Sequence, residues 1–244
     1  MGNFKLISFA SADELAQAVA GAWLEKVEAA GRAGQRHLVA LSGGRVARPF
    51  FVAAVKEARA RGVSFHPVHF FWADERCVLP DDPESNFRLA HEVLLAPLQI
   101  PEDRVHRIRA EQEGTLAAAE AEAELRLAAP RSSSGQPVLD LILLGMGEDG
   151  HVASLFPCED GTGADSRSVY RVVTAPKNPP HRITIGFPAI AAAREVWVLA
   201  SGSGKEAAMR QSLDPSGQTP LAQVLRQRHQ TRIYTDIRLR ELPA

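Results

Sequence analysis

Short apolar runs alternate along the chain with segments of helical periodicity. The runs 37–41, 68–72 and 138–144 are almost wholly hydrophobic, which is typical of strands buried on both faces. Apolar residues recur every three or four positions over 47–61 and 84–95, and this spacing predicts amphipathic helices. Strand–helix alternation predicts right-handed crossovers between parallel strands.

The remaining pattern extends this prediction toward both ends of the chain. A capping box from Ser11 to Glu14 precedes a first helix, and an Ala/Glu-rich stretch predicts another over 115–129. The C-terminal third is richer in β-structure, with predicted strands at 170–175, 182–187, 195–201 and 231–234 and helices near 205–212 and 220–228. We therefore expect one α/β domain over residues 1–244: a doubly wound, mainly parallel sheet with helices on both faces and a small β-rich subregion, whose short strands pair antiparallel.

The composition argues against several classes of protein. The 244 residues are 45% hydrophobic and 23% charged with a formal net charge of −1, which gives no electrostatic footprint for nucleic acid. No apolar run approaches the ~18 residues of a membrane span, and the N-terminal segment lacks a signal-peptide core. Two cysteines far apart argue against a disulfide framework or a zinc site. We expect a cytoplasmic enzyme, a monomer or small homo-oligomer, without a metal ion or cofactor.

The segment 144–157, LGMGEDGHVASLFP, carries the densest chemistry. It follows a predicted buried strand, so its loop should lie where a parallel sheet opens its binding crevice. Asp149 and His151 stand two positions apart in this loop. Histidine titrates near neutral pH and is the commonest general base, so we expect His151 to move protons and Asp149 to orient it.

The same loop matches the spacing of a dinucleotide fingerprint, Gly145-x-Gly147-x-x-Gly150. A pyrophosphate over this turn would meet the carboxylates of Glu148 and Asp149, which would repel it. No acidic residue ends a strand about 20 positions further on, as a ribose contact requires. We therefore do not expect nicotinamide cofactors here.

Three other loops after predicted strands present anion-binding groups. Ser42, Gly43 and Gly44 form a glycine turn before a helix, where backbone N–H groups and the helix dipole favour an anion. Asp74 and Arg76 follow the next strand; the arginine can bind phosphate, and the aspartate can accept hydrogen bonds from sugar hydroxyls. A third glycine-rich turn ends at Lys205, but it lacks the full P-loop motif and suits a monophosphate better than a nucleotide.

Together these motifs resemble the 6-phosphogluconolactonase family, within the group that includes glucosamine-6-phosphate deaminases. The resemblance runs nearly end to end and is carried by the following stretches: LSGG at 41–44, ADER at 73–76, SNFRLAHEVLL at 85–95, LGMGEDGHVASLFP at 144–157, KNPPHRIT at 177–184 and GSGKEAA at 202–208. It implies a Rossmann-like fold of the deaminase/lactonase type and a sugar-phosphate lactone as the substrate. It also implies that Arg182 binds substrate.

One difference from the family pattern concerns the glycine turn. The family usually continues Ser-Gly-Gly with Ser or Thr, and here Arg45 stands at that position. The hydroxyl that helps to hold the phosphate in the family is therefore missing. Two expectations stay open: the positive charge of Arg45 substitutes for this hydroxyl, or Arg45 alters the substrate preference.

The expected reaction is hydrolysis of 6-phospho-D-glucono-1,5-lactone to 6-phosphogluconate by water that His151 activates. Gly43, Gly44, Arg76, Arg182 and Lys205 would hold the phosphate, and amides around 147–150 would stabilise the oxyanion. The alternatives are a lactonase for another sugar acid, a deaminase acting on an amino-sugar phosphate, and a non-catalytic sugar-phosphate binding protein.

Overall fold

A computed structural model of the chain describes residues 4–157 and 168–239. Cys158 lies outside the described residues, and Cys77 is a partly buried free thiol. None of the helices in the described ranges combines the length and the apolar character that crossing a membrane requires.

Six parallel strands form the main sheet. They are β1 (Phe4–Ser8), β2 (His37–Leu41), β3 (Val68–Trp72), β5 (Leu141–Gly145), β8 (Glu195–Ala200) and β9 (Thr231–Thr235). Their order in the sheet is β1-β9-β8-β5-β2-β3. Strand β2 is buried at all five positions, as expected for a central strand covered on both faces. The predicted doubly wound α/β fold is therefore confirmed.

The helices connect these strands in two directions. The chain moves from β1 through β2 to β3 toward one edge, and then returns through β5, β8 and β9. Right-handed crossovers therefore place the early and late helices on opposite faces, and α1 packs against α2 while α5 and α6 pack against α7. The helices are α1 (Ala12–Arg32), α2 (Ala47–Arg61), α3 (Asn86–Ala90), α4 (Gly114–Ala128), α5 (Phe187–Ala192), α6 (Glu206–Leu213) and α7 (Pro220–Gln227).

A second, three-stranded antiparallel sheet has the order β4-β7-β6 and confirms the predicted β-rich subregion. Its strands are β4 (Asp74–Arg76), β6 (Tyr170–Thr174) and β7 (His181–Ile185). The sequence predicts a loop for residues 74–76, and this is wrong, because they pair with β7. Three residues are too few to show a periodicity, so only the partner strand reveals them.

The change of direction in the main sheet also fixes where a ligand can bind. Neighbouring strands β2 and β5 continue to opposite sides, because the chain leaves β2 toward β3 and leaves β5 toward β8. In open α/β sheets the crevice at such a switch point, beyond the carboxyl ends of the strands, is the usual binding site. The loops after Leu41 and Gly145 flank this crevice.

Candidate active site

A cleft of about 620 Å³ lies at this switch point. It is lined by the loops that follow β2, β5 and β8, by β4 and the start of α3, and by the connection between β6 and β7 with the start of β7. All ten residues that the sequence selects line it: Ser42, Gly43, Gly44, Arg45, Asp74, Arg76, Asp149, His151, Arg182 and Lys205.

The loop after β5 closes on itself as a tight turn. The N–H of Gly147 donates to the carbonyl of His151 at 2.9 Å, and the N–H of Gly150 donates to that of Gly147 at 3.2 Å. Gly150 has φ +78°, and a Cβ there would lie 2.7 Å from the side chain of Thr219, so this position requires glycine. The amides of Gly147 and Gly150 therefore already donate within the turn, and stabilisation of an oxyanion by amides around 147–150 stays a prediction.

Within this turn, His151 and Asp149 form a hydrogen-bonded pair. Nδ1 of the imidazole lies in short contact with Oδ1 of Asp149, and the backbone N–H of His151 donates to the same oxygen at 3.2 Å. A carboxylate at Nδ1 favours the tautomer with its proton there. The lone pair of Nε2 is then available to accept a proton.

The surroundings keep this imidazole neutral. Burial lowers the pKa of His151 and outweighs the neighbouring Asp149 carboxylate, which acts in the opposite direction. Burial is the largest single effect on Asp149 and raises its pKa, but the hydrogen bonds and charge of His151 together with the charge of Lys177 outweigh it, and the net pKa is lowered. A neutral imidazole beside an ionised carboxylate is the combination that a general base requires.

Lys177 completes this group, and the sequence does not single it out. Its Nζ lies 3.4 Å from Nδ1 of His151 and 4.0 Å from Oδ2 of Asp149. The ammonium also lies 5.2 Å from the centre of the Phe156 ring. Its positive charge favours the neutral form of His151 and the ionised form of Asp149.

Arg76 and Arg182 stand directly opposite each other on β4 and β7. Like charges in this arrangement repel, and burial, with the charge of Arg76, lowers the pKa of Arg182. Arg182 is 3% exposed and donates to the carbonyl of Pro179 at 2.8 Å. Two guanidinium groups lining one cleft make a binding site for a multiply charged anion.

Lys205 adds a third cation from the loop after β8. It is 7% exposed, and burial lowers its pKa. In the part of the chain that the structure describes, no carboxylate forms an ion pair with its ammonium. We call Arg76, Arg182 and Lys205 the cation set. Within this set, Arg182 lies close to the imidazole, because both groups contact the Phe156 ring. The centres of the His151 and Phe156 rings are 4.7 Å apart, and the Arg182 guanidinium carbon lies 5.6 Å from the centre of the Phe156 ring.

The glycine turn after β2 also faces the cleft. Helix α2 begins there without a side-chain cap, but the N–H of Ala47 already donates to the carbonyl of Gly44 at 3.1 Å, and Pro49 has no N–H. An anion would therefore have to bind mainly through the backbone N–H groups of the turn itself. Ser42 Oγ is buried and has no hydrogen-bond partner among the described residues.

Asp74 also contributes to the structure of the cleft lining. Its carboxylate is buried, accepts from Ser154 Oγ at 2.7 Å and lies 3.4 Å from the amide nitrogen of Asn86. These contacts brace the lining, and hydrogen bonding of Asp74 to sugar hydroxyls stays a prediction. Asn86 also lines the cleft and is a second residue that the sequence does not single out.

Glu75 holds the outer part of this lining. It accepts hydrogen bonds from the backbone N–H groups of Arg76, Asn86 and Phe87 and from the hydroxyl of Ser85. Burial raises the pKa of Glu75 to about 7 despite these donors. The carboxyl group thus joins β4 to the first turn of α3.

The described residues contain no group of three or more His, Cys, Asp or Glu side chains arranged to hold a metal ion. The side chains that meet in the cleft are instead a histidine with its carboxylate and several cations. This arrangement suits proton transfer on an anionic substrate.

Comparison with known proteins identifies the family of this chain. The family of glucosamine-6-phosphate isomerases/6-phosphogluconolactonase matches residues 10–234. A 6-phosphogluconolactonase of Mycobacterium tuberculosis is 38% identical over 202 residues, which cover 81% of this chain and 81% of the relative. The solved structure of 6-phosphogluconolactonase from Trypanosoma brucei has a TM-score of 0.84 and 27% identity, covering 96% of this chain and 97% of that chain.

A monomeric glucosamine-6-phosphate deaminase also shares the fold, with a TM-score of 0.80 at 19% identity, over 95% of this chain and 96% of that chain. Identity this low speaks for the fold alone. The family match spans most of the chain, and the lactonase relative is similar over four fifths of it. The chain therefore belongs to the glucosamine-6-phosphate isomerase/6-phosphogluconolactonase family.

Proposed function

We propose that the protein hydrolyses 6-phospho-D-glucono-1,5-lactone to 6-phospho-D-gluconate, a step of the oxidative pentose phosphate pathway. The names of its relatives support this reaction. The observation that carries the proposal is the shared cleft, in which the Asp149–His151 pair lies beside the cation set.

The chemical step needs one base and no covalent intermediate, because a lactone is an activated ester. Nε2 of His151 takes a proton from water while the water oxygen attacks the C1 carbonyl. The tetrahedral intermediate then breaks the bond from C1 to the ring oxygen, and the imidazolium returns the proton to that oxygen. Asp149 holds the ring and stabilises its charged form, and such acid–base help is typically worth ~100- to 10,000-fold.

Phosphate binding falls to the cation set and the Ser42–Gly44 turn. Arg76 and Arg182 supply paired donors, and Lys205 supplies a point charge. The backbone N–H groups of this turn add donors in front of α2. Holding the phosphate fixes the lactone carbon beside the imidazole, so remote binding energy orients the attack.

The decisive assay follows ring opening of freshly generated 6-phosphogluconolactone with and without the protein, because the lactone also opens spontaneously. We expect the rate to rise above this background in proportion to protein concentration. Free gluconolactone should be a poorer substrate, and glucosamine 6-phosphate should release no ammonia. Preference for the free lactone would indicate a lactonase of another sugar acid, and ammonia release would indicate a deaminase. Binding without any turnover would indicate a non-catalytic protein.

Several expectations from the sequence stay predictions. They are the single domain, the cytoplasmic location, the monomeric or small homo-oligomeric state, and the independence from nucleic acid and cofactors.

A further inference from the structure

Arg45 and Glu148 form an ion pair across the cleft. Nη2 of Arg45 lies 2.7 Å from Oε1 of Glu148, and the two side chains are 84% and 62% exposed. Arg45 belongs to the turn after β2, and Glu148 belongs to the loop after β5. The pair therefore spans the switch point of the sheet.

The Glu148 carboxylate also approaches the third loop of the site. A Cβ on Gly204 would lie 3.7 Å from Oε1 of Glu148, and the carboxylate attracts the ammonium of Lys205. Glu148 thus presents a negative charge to Arg45 and Lys205 together. These are two of the cations that an incoming phosphate would use.

The pair also lies between two cavities. Arg45 and Glu148 line both the main cleft and a neighbouring cavity of about 360 Å³, which continues along Ser201–Lys205. Because both side chains are mostly exposed, their attraction is weak and screened by solvent. A doubly charged phosphoryl group can therefore displace the carboxylate at little cost, whereas a neutral group lacks the charge to do so.

We propose that Glu148 is an internal competitor for the phosphate subsite and a determinant of specificity. The carboxylate pairs with Arg45, and the phosphoryl dianion of the substrate replaces the carboxylate as the partner of Arg45 when the substrate binds. This inference rests on the proposed function, because it assigns a residue to the recognition of that substrate. It gives a role to Glu148 and a reason for an arginine at position 45.

The test measures binding of 6-phosphogluconate and of inorganic phosphate by calorimetry, and KM for the phosphorylated lactone. We expect Glu148→Gln to tighten binding and lower KM by about two- to five-fold, the size expected for an exposed ion pair. Arg45→Met should weaken binding. In the Arg45→Met background, Glu148→Gln should tighten binding less than it does in the native protein.

Glu28→Gln is the matched control, since Glu28 pairs with Arg61 at 2.8 Å between α1 and α2 and lines none of the described cleft. It removes one negative charge from another Arg–Glu pair and should leave phosphate binding unchanged. Equal tightening by Glu28→Gln and Glu148→Gln would overturn the proposal, since net charge alone would then explain the effect. Weaker binding in Glu148→Gln would overturn it too, because Glu148 would then position Arg45.

A structure of the complex with 6-phosphogluconate tests the proposed role of Glu148 directly. The proposal expects Arg45 on the phosphoryl oxygens and separated from Glu148, and an intact pair in that complex would overturn it. Failure of the proposed function looks different: the native protein would then neither bind 6-phosphogluconate nor open the lactone. If it does both while Glu148→Gln changes nothing, only the role of Glu148 is wrong.

Discussion

The Asp149–His151 pair and the cation set are built in contrasting ways. The pair comes from one tight turn, and its members are two positions apart in the chain. The cation set comes from β4, β7 and the loop after β8, which the fold brings together from positions 76, 182 and 205. The proposed proton-transfer group is therefore a local structure, whereas the proposed anion site depends on the topology of the whole fold.

This contrast separates two functions that mutations can test independently. Changes in the local turn should alter the chemical step, whereas changes in the cation set should alter substrate binding. A variant that alters both to the same extent would show that the two regions act as one unit.

The largest effect is expected from His151→Ala. Loss of the base should lower kcat by about 100- to 10,000-fold, while 6-phosphogluconate still binds, because its phosphate meets the cation set. Turnover assays and calorimetry measure the two quantities. His66→Ala is the control, since His66 is exposed and lines none of the described cleft. Native turnover in His151→Ala would remove this residue from the mechanism.

Lys205→Met should act mainly on binding. Hydrogen bonds to charged groups are worth about 1.5–3 kcal/mol, so we expect KM for the phosphorylated lactone to rise roughly ten- to hundred-fold. The smaller change should be in kcat, and free gluconolactone should be affected little. Lys56→Met, at an exposed position of α2, should match the native protein. An equal loss with both lactones would place Lys205 outside phosphate recognition.

The smallest effect concerns pH and Lys177. Because burial lowers the pKa of His151, the acidic limb of kcat/KM should lie below the ordinary histidine value of about 6.5. Activity is then present above this limb and falls as the pH drops through it and the imidazole becomes protonated. Lys177→Met removes a charge that lowers the pKa of His151, so the limb should move to higher pH. A pH–rate profile measures this shift, and an unmoved limb would contradict it.

Much of the fold could be read from periodicity. The predicted strands 37–41 and 68–72 and the helix 47–61 have the same bounds in the structure, because long or wholly buried segments carry a strong pattern. Short elements and local distortions could not be predicted in the same way. The predicted helix 84–95 is α-helical only over Asn86–Ala90 and continues as a π-helical turn over His91–Leu95, a distortion that apolar spacing does not show.

The residues of the candidate site also differ in how well the sequence predicts them. Asp149 and His151 could be selected from one motif, because their contact depends on a single turn. Lys177 lies in a proline-containing connection between β6 and β7, and it reaches His151 only because those strands pair antiparallel, with Thr174 opposite His181. The sequence predicts this antiparallel pairing, but it does not indicate that the connection reaches the loop after β5.

Gly147 illustrates how narrowly the active turn is constrained. Any β-carbon at this position would occupy the space of the imidazole ring and lie 2.7 Å from Asp149 Oδ1. Even alanine must therefore displace the imidazole that the turn holds. A larger residue at position 147 would move His151 away from its contact with Asp149, so it could be accommodated only together with a rebuilt loop.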